Sequence, residues 1–155
     1  MIVPGRRSAH PDKPLALFLI GMRVNNLLAV GQWGPVMMAM PRMLAELRRK
    51  PEAGLLWQRN FLSGRTSLAV QYWESTEKLF AYAHDRDGEH FPAWAAFNRK
   101  ARDNSAVGIW HETYVIGPDN AENIYNNMPP FGLGGAVGTA VAKTRMGGMR
   151  DPFKA

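Results

Sequence analysis

Apolar residues along this chain follow two rhythms, one of period two and one near 3.6, and the rhythms alternate in a definite order. Residues 14–24 contain LALFLIGMRV, apolar at odd and even positions alike, which predicts a strand buried on both faces. Gly21 within it predicts a bulge or the close approach of another group. From 33 to 50 the spacing turns helical. Val36, Met37, Met40, Met43, Leu44 and Leu47 recur at intervals of three and four, while Arg42, Glu46 and Arg49 are expected to face away. Pro41 predicts a kink or a helix start near it. Arg48, Arg49 and Lys50, followed by Pro51 and Gly54, supply the end. Residues 54–61 and 65–73 read as two strands joined at hairpin distance through Leu62, Ser63 and Gly64. Ser75 is a good N-cap, with Glu77 in the first turn, for a helix to about His84 that Asp85-Arg86-Asp87-Gly88 breaks. Pro92 suits the first turn of a further helix to about Arg102, and 106–116 forms the last strand, closed by Gly117 and Pro118.

The predicted order is β-α-β-β-α(α)-β, the split βαβ arrangement, so the fold class is α+β with a ferredoxin-like sheet. Such a sheet covers one face with its own helices. The doubly apolar first strand requires a cover on the other face, and the simplest is a second copy of the same sheet, which predicts a homodimer forming an α+β barrel. Around this domain, assigned to 14–133, residues 1–13 read as a flexible leader and 134–155, rich in glycine and basic residues, as a mobile tail. The segment NIYNNMPPFGLG, 123–134, is expected to pack on the barrel through its apolar anchors.

Composition narrows the partners. The chain has 155 residues, enough for one self-sufficient core, and no cysteine, which excludes disulfides, iron–sulfur clusters and zinc–thiolate sites and fits a reducing compartment. No stretch approaches the ~18 apolar residues of a membrane helix. Arg6 and Arg7 precede an apolar run that no small-x-small cleavage site follows, so no signal peptide is expected and the cytoplasm is the expected location. The net charge is +6, but the basic residues are scattered in short groups without an aromatic-laced stripe, so no nucleic-acid partner is expected. Nine methionines and sixteen aromatics suggest an adaptable apolar interior, which suits a greasy small molecule and equally a plain methionine-rich core.

Nucleotide loops, HExxH and nucleophile-elbow motifs are absent, and His84, His90 and His111 lack metal-ligand spacing, so no metal site is expected. Those histidines are still the most informative polar residues. His90, Trp94, Phe97 and Ala101 share a stripe expected to face inward, and His84 extends the stripe of Phe80. In the last strand Val107, Ile109, His111, Thr113 and Val115 share one face, and Trp110, Glu112 and Tyr114 the other. The first strand adds Arg23 and Asn25, and the third adds Gln71 beside Trp73. Each of these can be a satisfied core polar group. Their number also fits an apolar pocket with convergent polar groups, in which a neutral histidine acts as general base, an arginine or asparagine steadies an enolate or peroxide oxygen, or a histidine ligates haem iron.

Six strings, FLIGMRVNN, W-x-PV-x-x-AMPRML-x-EL, VQYWES, HFPAWAAFNR, GIWHETYVI and YNNMPPFGLG, together resemble the fumagillin-pathway-monooxygenase-like family over residues 14–133. The resemblance implies the antibiotic-biosynthesis-monooxygenase superfamily and its dimeric α+β barrel. Relatives there include monooxygenases that use neither metal nor flavin, haem-degrading enzymes and haem-dependent aldoxime dehydratases. By that resemblance the chain would be a monooxygenase-like tailoring enzyme of secondary metabolism, acting on an apolar molecule with molecular oxygen and no required cofactor. Trp73, Asn25, Arg23 and His111 would be catalytic, with Trp94, Phe97, Tyr114 and Gln71 lining the substrate pocket. The alternatives are a haem b enzyme with His90 as axial ligand, or His84 or His111 in its place, and a non-catalytic ligand-binding dimer. Haem-degrading relatives carry their ligand histidine near the position of Ala95 or Ala96, a departure that counts against haem degradation.

Overall fold

A computed structural model describes residues 1–88, 95 and 105–142 of the chain. The predicted helix opening at Pro92, Ala95 apart, lies outside them together with His90, Trp94 and Phe97, as do residues 143–155. The elements in order are β1 (Val3–Ser8), β2 (Leu15–Val24), α1 (Val30–Arg49), a 3-10 turn (Pro51–Ala53), β3 (Leu55–Ser63), β4 (Thr66–Trp73), α2 (Thr76–His84), β5 (Val107–Ile116), β6 (Tyr125–Met128), α3 (Gly132–Val137) and β7 (Ala140–Val141).

Strands β3, β4, β2 and β5 lie side by side in that order, all antiparallel, and this is the ferredoxin-like sheet that the alternation predicted. Because side chains of directly paired residues share a face, the register sorts the sheet into rows. Val115, Ala16, Trp73 and Leu55 make one row, Thr113, Phe18, Gln71 and Gln58 the next, and His111, Ile20 and Ala69 a third. All three rows face the helices. Ala16 and Trp73 are buried there with Leu44 and Leu47 of α1 and with Leu79 and Tyr82 of α2. Fully burying each such side chain contributes roughly 1.5–3 kcal/mol, so this layer dominates the core.

α1 runs unbroken through both Pro35 and Pro41. The two prolines lie on its exposed side, where the carbonyls they leave unbonded can reach water. Glu46, expected to face outward, is instead buried at 5% exposure. It falls three residues after Met43 on the inward stripe, and its charge is compensated there by partners described below. His84 departs in the opposite sense. The inward stripe of α2 is Leu79 and Tyr82, which leaves Phe80 and His84 exposed. The helix opens as predicted, with the backbone N–H of Lys78 donating to Ser75 Oγ at 3.3 Å.

On the sheet's second face Gly21 has the neighbour its presence announced. A Cβ there would run into the Trp110 ring and come within 2.6 Å of the Ser67 carbonyl, while the β2 register continues without a bulge. One end of this face is covered by the chain itself. Phe131 stacks edge-on against Trp57 and Phe61, α3 sits over β3 and β4, and Leu15, Ala9 and Leu133 form a small core with Tyr72 and Tyr125. Burial, with Tyr125 adding to it, raises the Tyr72 phenol pKa against the opposing pull of the Leu133 backbone.

Parts of the segments expected to be a flexible leader and a mobile tail form regular elements. Residues 3–8, placed in the flexible leader, form the centre of a second sheet ordered β6-β1-β7. Of the residues placed in the mobile tail, 134–137 belong to α3 and 140–141 to β7. Pro4 and Gly5 hide the strand in the sequence. They create an irregularity between Val3 and Arg6, where Gly5 takes φ +80° and its N–H donates to Asn127 Oδ1, itself on a residue at φ +52°.

Candidate active site

The centre of the helix-facing layer is a polar pair set in apolar surroundings. Trp73 is 1% exposed and is the largest fully buried side chain among the described residues. Its indole N–H donates to Gln71 Oε1 at 2.9 Å, and Gln71 Nε2 in turn donates to Met40 Sδ at 3.9 Å. The two residues are two apart on β4, so alternation alone puts them on one face. Tyr82 from α2 tilts against the indole, ring centroids 5.6 Å apart at 34°. Between these groups, Phe18 and Ile20 of β2 and Met40, Met43 and Leu47 of α1, lies an apolar hollow of about 30 Å³. By the cavity cost of ~24 cal/mol per Å³, leaving it open costs about 0.7 kcal/mol.

Behind the wall formed by Tyr82 is a charged cluster. Tyr82 Oη donates to Glu46 Oε2 at 3.1 Å, Lys50 Nζ donates to Glu46 Oε1 at 2.8 Å, and Asp85 lies 3.7 Å from Lys50. The hydrogen bond to Glu46 raises the Lys50 ammonium pKa, against a smaller desolvation effect. A buried carboxylate needs such partners to remain in the core. Sequence reasoning missed Glu46 and Tyr82 as parts of the site. Glu46 stands at an inward spacing from Met43, and that was the available signal.

His111 lies on the helix-facing side of β5, one strand from Ile20, with its ring 5.7 Å from that of Phe18, a wall of the hollow. The histidine is exposed, so it stands at the rim. Gln58, directly opposite Gln71, carries a buried Oε1 with no hydrogen-bond donor among the described residues. The structure thus brings Trp73, Gln71 and, at the margin, His111 to one side of the sheet. Arg23 and Tyr114 lie on the other side. Arg23 makes a 3.5 Å contact to Thr66 Oγ1. Tyr114 donates to Glu112 Oε2 at 2.7 Å, which raises the phenol pKa. Asn25 stands beyond the end of β2 and donates from Nδ2 to the Ser105 carbonyl at 2.9 Å. His84 is exposed, its Nδ1 2.8 Å from the Phe80 carbonyl. These four are not gathered around the hollow, and His90, Trp94 and Phe97 lie outside the described residues.

The described residues do not fit a haem. The hollow is several-fold too small for a porphyrin, and both His84 and His111 are exposed and do not line it. Among the described residues no group of three His, Asp or Glu side chains could hold a metal ion.

A ferredoxin-like α+β domain with an apolar hollow between its sheet and its helices is the class that this geometry defines. Residues 15–133 match the model of the monooxygenase af470-like family, and the chain belongs to that family. It is 31% identical over 146 residues to monooxygenase af470 of Aspergillus fumigatus, a match covering 85% of this chain and 51% of that protein. Among solved structures, an aldoxime dehydratase in complex with butyraldoxime superposes with a TM-score of 0.69 at 19% identity, over 86% of this chain and 39% of that one. The family model establishes the family, and the structural superposition the fold. The chain spans about half the length of the fungal relative, and less than half of the dehydratase.

Proposed function

We propose that the protein is a monooxygenase that oxidises an acidic C–H position of an apolar small molecule, as a tailoring step of secondary metabolism, with dioxygen as oxidant and no metal or flavin. The observation that carries this reading is the buried Trp73–Gln71 pair on the wall of an apolar hollow beneath the helices, with His111 at the rim. The name of the family, and of its fungal member, supports the reaction class.

In this reading the substrate lies against Phe18 with its acidic carbon toward His111, which takes the proton. The carbanion passes one electron to dioxygen, the pair combine as a hydroperoxide, and loss of water leaves a carbonyl. A CH₂ and one O₂ thus give C=O and one H₂O, with four electrons drawn from carbon and four accepted by oxygen. The active form is a homodimer whose protomers meet over the uncovered part of the second sheet face, around Leu17, Leu19, Leu68 and Val70.

An oxygen electrode with anthrone as substrate and no added cofactor tests the proposal. Oxygen uptake above buffer, reduced at least tenfold in Trp73→Phe and His111→Ala, is the expected result. Uptake no faster than buffer overturns it. Uptake only after haemin addition, with a Soret band that shifts on binding, replaces it by a haem enzyme whose axial-ligand candidate is His90.

A further inference from the structure

The hollow beside Trp73 has a size and polarity that suit one kind of occupant. At about 30 Å³ it offers roughly the share of space that one water molecule takes in the liquid. Engineered cavities that admit benzene are near 150 Å³, so an aromatic or terpenoid substrate does not fit inside it. Water is the wrong chemistry. A buried water requires two to four polar partners. Among the described residues the polar groups beside this hollow are directed at one another or away from it, the Trp73 N–H at Gln71 Oε1, the Gln71 amide at Met40 Sδ and the Tyr82 hydroxyl at Glu46, and they leave a surface that is almost wholly apolar. The rest of the wall, among the described residues, is hydrocarbon and thioether. An apolar cavity with no partners to offer stays dry and favours small apolar molecules.

From this we infer that the hollow between Phe18, Met40, Met43, Trp73, Leu79 and Tyr82 is a binding chamber for dioxygen, separate from the place of the organic substrate. The choice of dioxygen among small apolar molecules rests on the oxygenase reading; the dry, gas-sized chamber does not. The methionine walls supply adaptability, since an unbranched thioether can shift to admit a diatomic guest. The chamber adjoins the indole and lies one ring, that of Phe18, away from His111. It would therefore deliver oxygen to a substrate held at the rim, on the side where the carbanion forms.

The test is methyl NMR of the full chain under oxygen pressure, with nitrogen at equal pressure as the diamagnetic reference. Dioxygen is paramagnetic and relaxes the nuclei it visits. Methyls of Met40, Met43, Ile20 and Leu79 should relax severalfold faster than those of Leu15 and Leu133, which are buried in a separate cluster. Leu79→Phe fills the chamber and should remove the effect at Met40. If that variant does not fold, Ile20→Phe fills it from the sheet side. Equal relaxation in the two clusters, or water cross-peaks to the chamber methyls, overturns the inference. The outcome is separable from that of the activity assay. A gas-filled chamber in a protein that consumes no oxygen with any acidic substrate would remove the oxygenase reading and leave a gas site. Oxygen consumption with an unoccupied chamber would do the reverse.

Discussion

At Trp73 one side chain does several things at once. It fills the core between sheet and helices, its N–H satisfies Gln71, and its ring walls the chamber. Trp73→Phe keeps most of the packing and leaves Gln71 Oε1 buried without its donor, a cost of about 1–3 kcal/mol. Trp73→Ala adds a cavity and should cost about 3–5 kcal/mol. Urea unfolding of the two variants should show that order, with the smaller loss in Phe. Gly21 allows a prediction of a different kind. Alanine there drives a methyl into the Trp110 ring and the Ser67 carbonyl, and backbone cannot step aside as a flexible side chain can. Gly21→Ala should lower stability by about 1–3 kcal/mol, and Trp110 fluorescence should shift as the indole is displaced.

The N-terminus of α2 shows how an element is secured by local electrostatics. Hydrogen bonds from Ser75, its own backbone N–H and Thr76 lower the Glu77 carboxyl pKa, and Lys13 lowers that of Glu74. Both folded-state values lie below the ordinary one. Their stabilisation is therefore present above the usual carboxylate range and is lost as pH falls through the depressed values. Melting temperature measured from neutral pH downward should fall through that acid window. Ser75→Ala should cost about 1 kcal/mol at neutral pH and flatten the acid slope, because Glu77 then loses its main partner. The elements themselves were readable where one physical signal dominated. The doubly apolar run LALFLIGMRV and the alternation in TSLAVQYW marked strands, and Ser75 marked a helix start. Glu46 was misread because charge is ordinarily an exposure signal, and Tyr82, which donates a hydrogen bond to it in the core, lies 36 residues away. His84 was misplaced by following Phe80, an apolar residue that is 51% exposed. Trp73 and Gln71 were legible as neighbours from strand period alone. That Arg23 and Tyr114 sit across the sheet from them follows from register, which a single strand does not reveal.

For the whole molecule, the question is what covers the remainder of the second sheet face. The C-terminal segment takes one end through Phe131, Trp57 and Tyr72, and leaves Leu17, Leu19, Leu68 and Val70 half-buried with Tyr114 exposed. Light scattering coupled to size exclusion should give about twice the 17.3 kDa of one chain. Leu19→Arg, which places charge in the middle of that patch, should give the single-chain mass with an unchanged far-UV spectrum. A wild-type monomer at micromolar concentration would reject the dimer.

The strand near the start of the chain has a consequence for how the protein is made. Val3–Ser8 finds both its partners near the other end, with Gly5 and Asn127 bonded across 122 residues. During synthesis the four-stranded sheet can close once Ile116 has emerged, whereas the opening residues must wait, unpaired, for Tyr125–Met128 and then Ala140–Val141. The small sheet thus closes after the four-stranded one. Stalled chains ending before residue 125 would be expected to carry a protease-sensitive beginning on an otherwise closed domain.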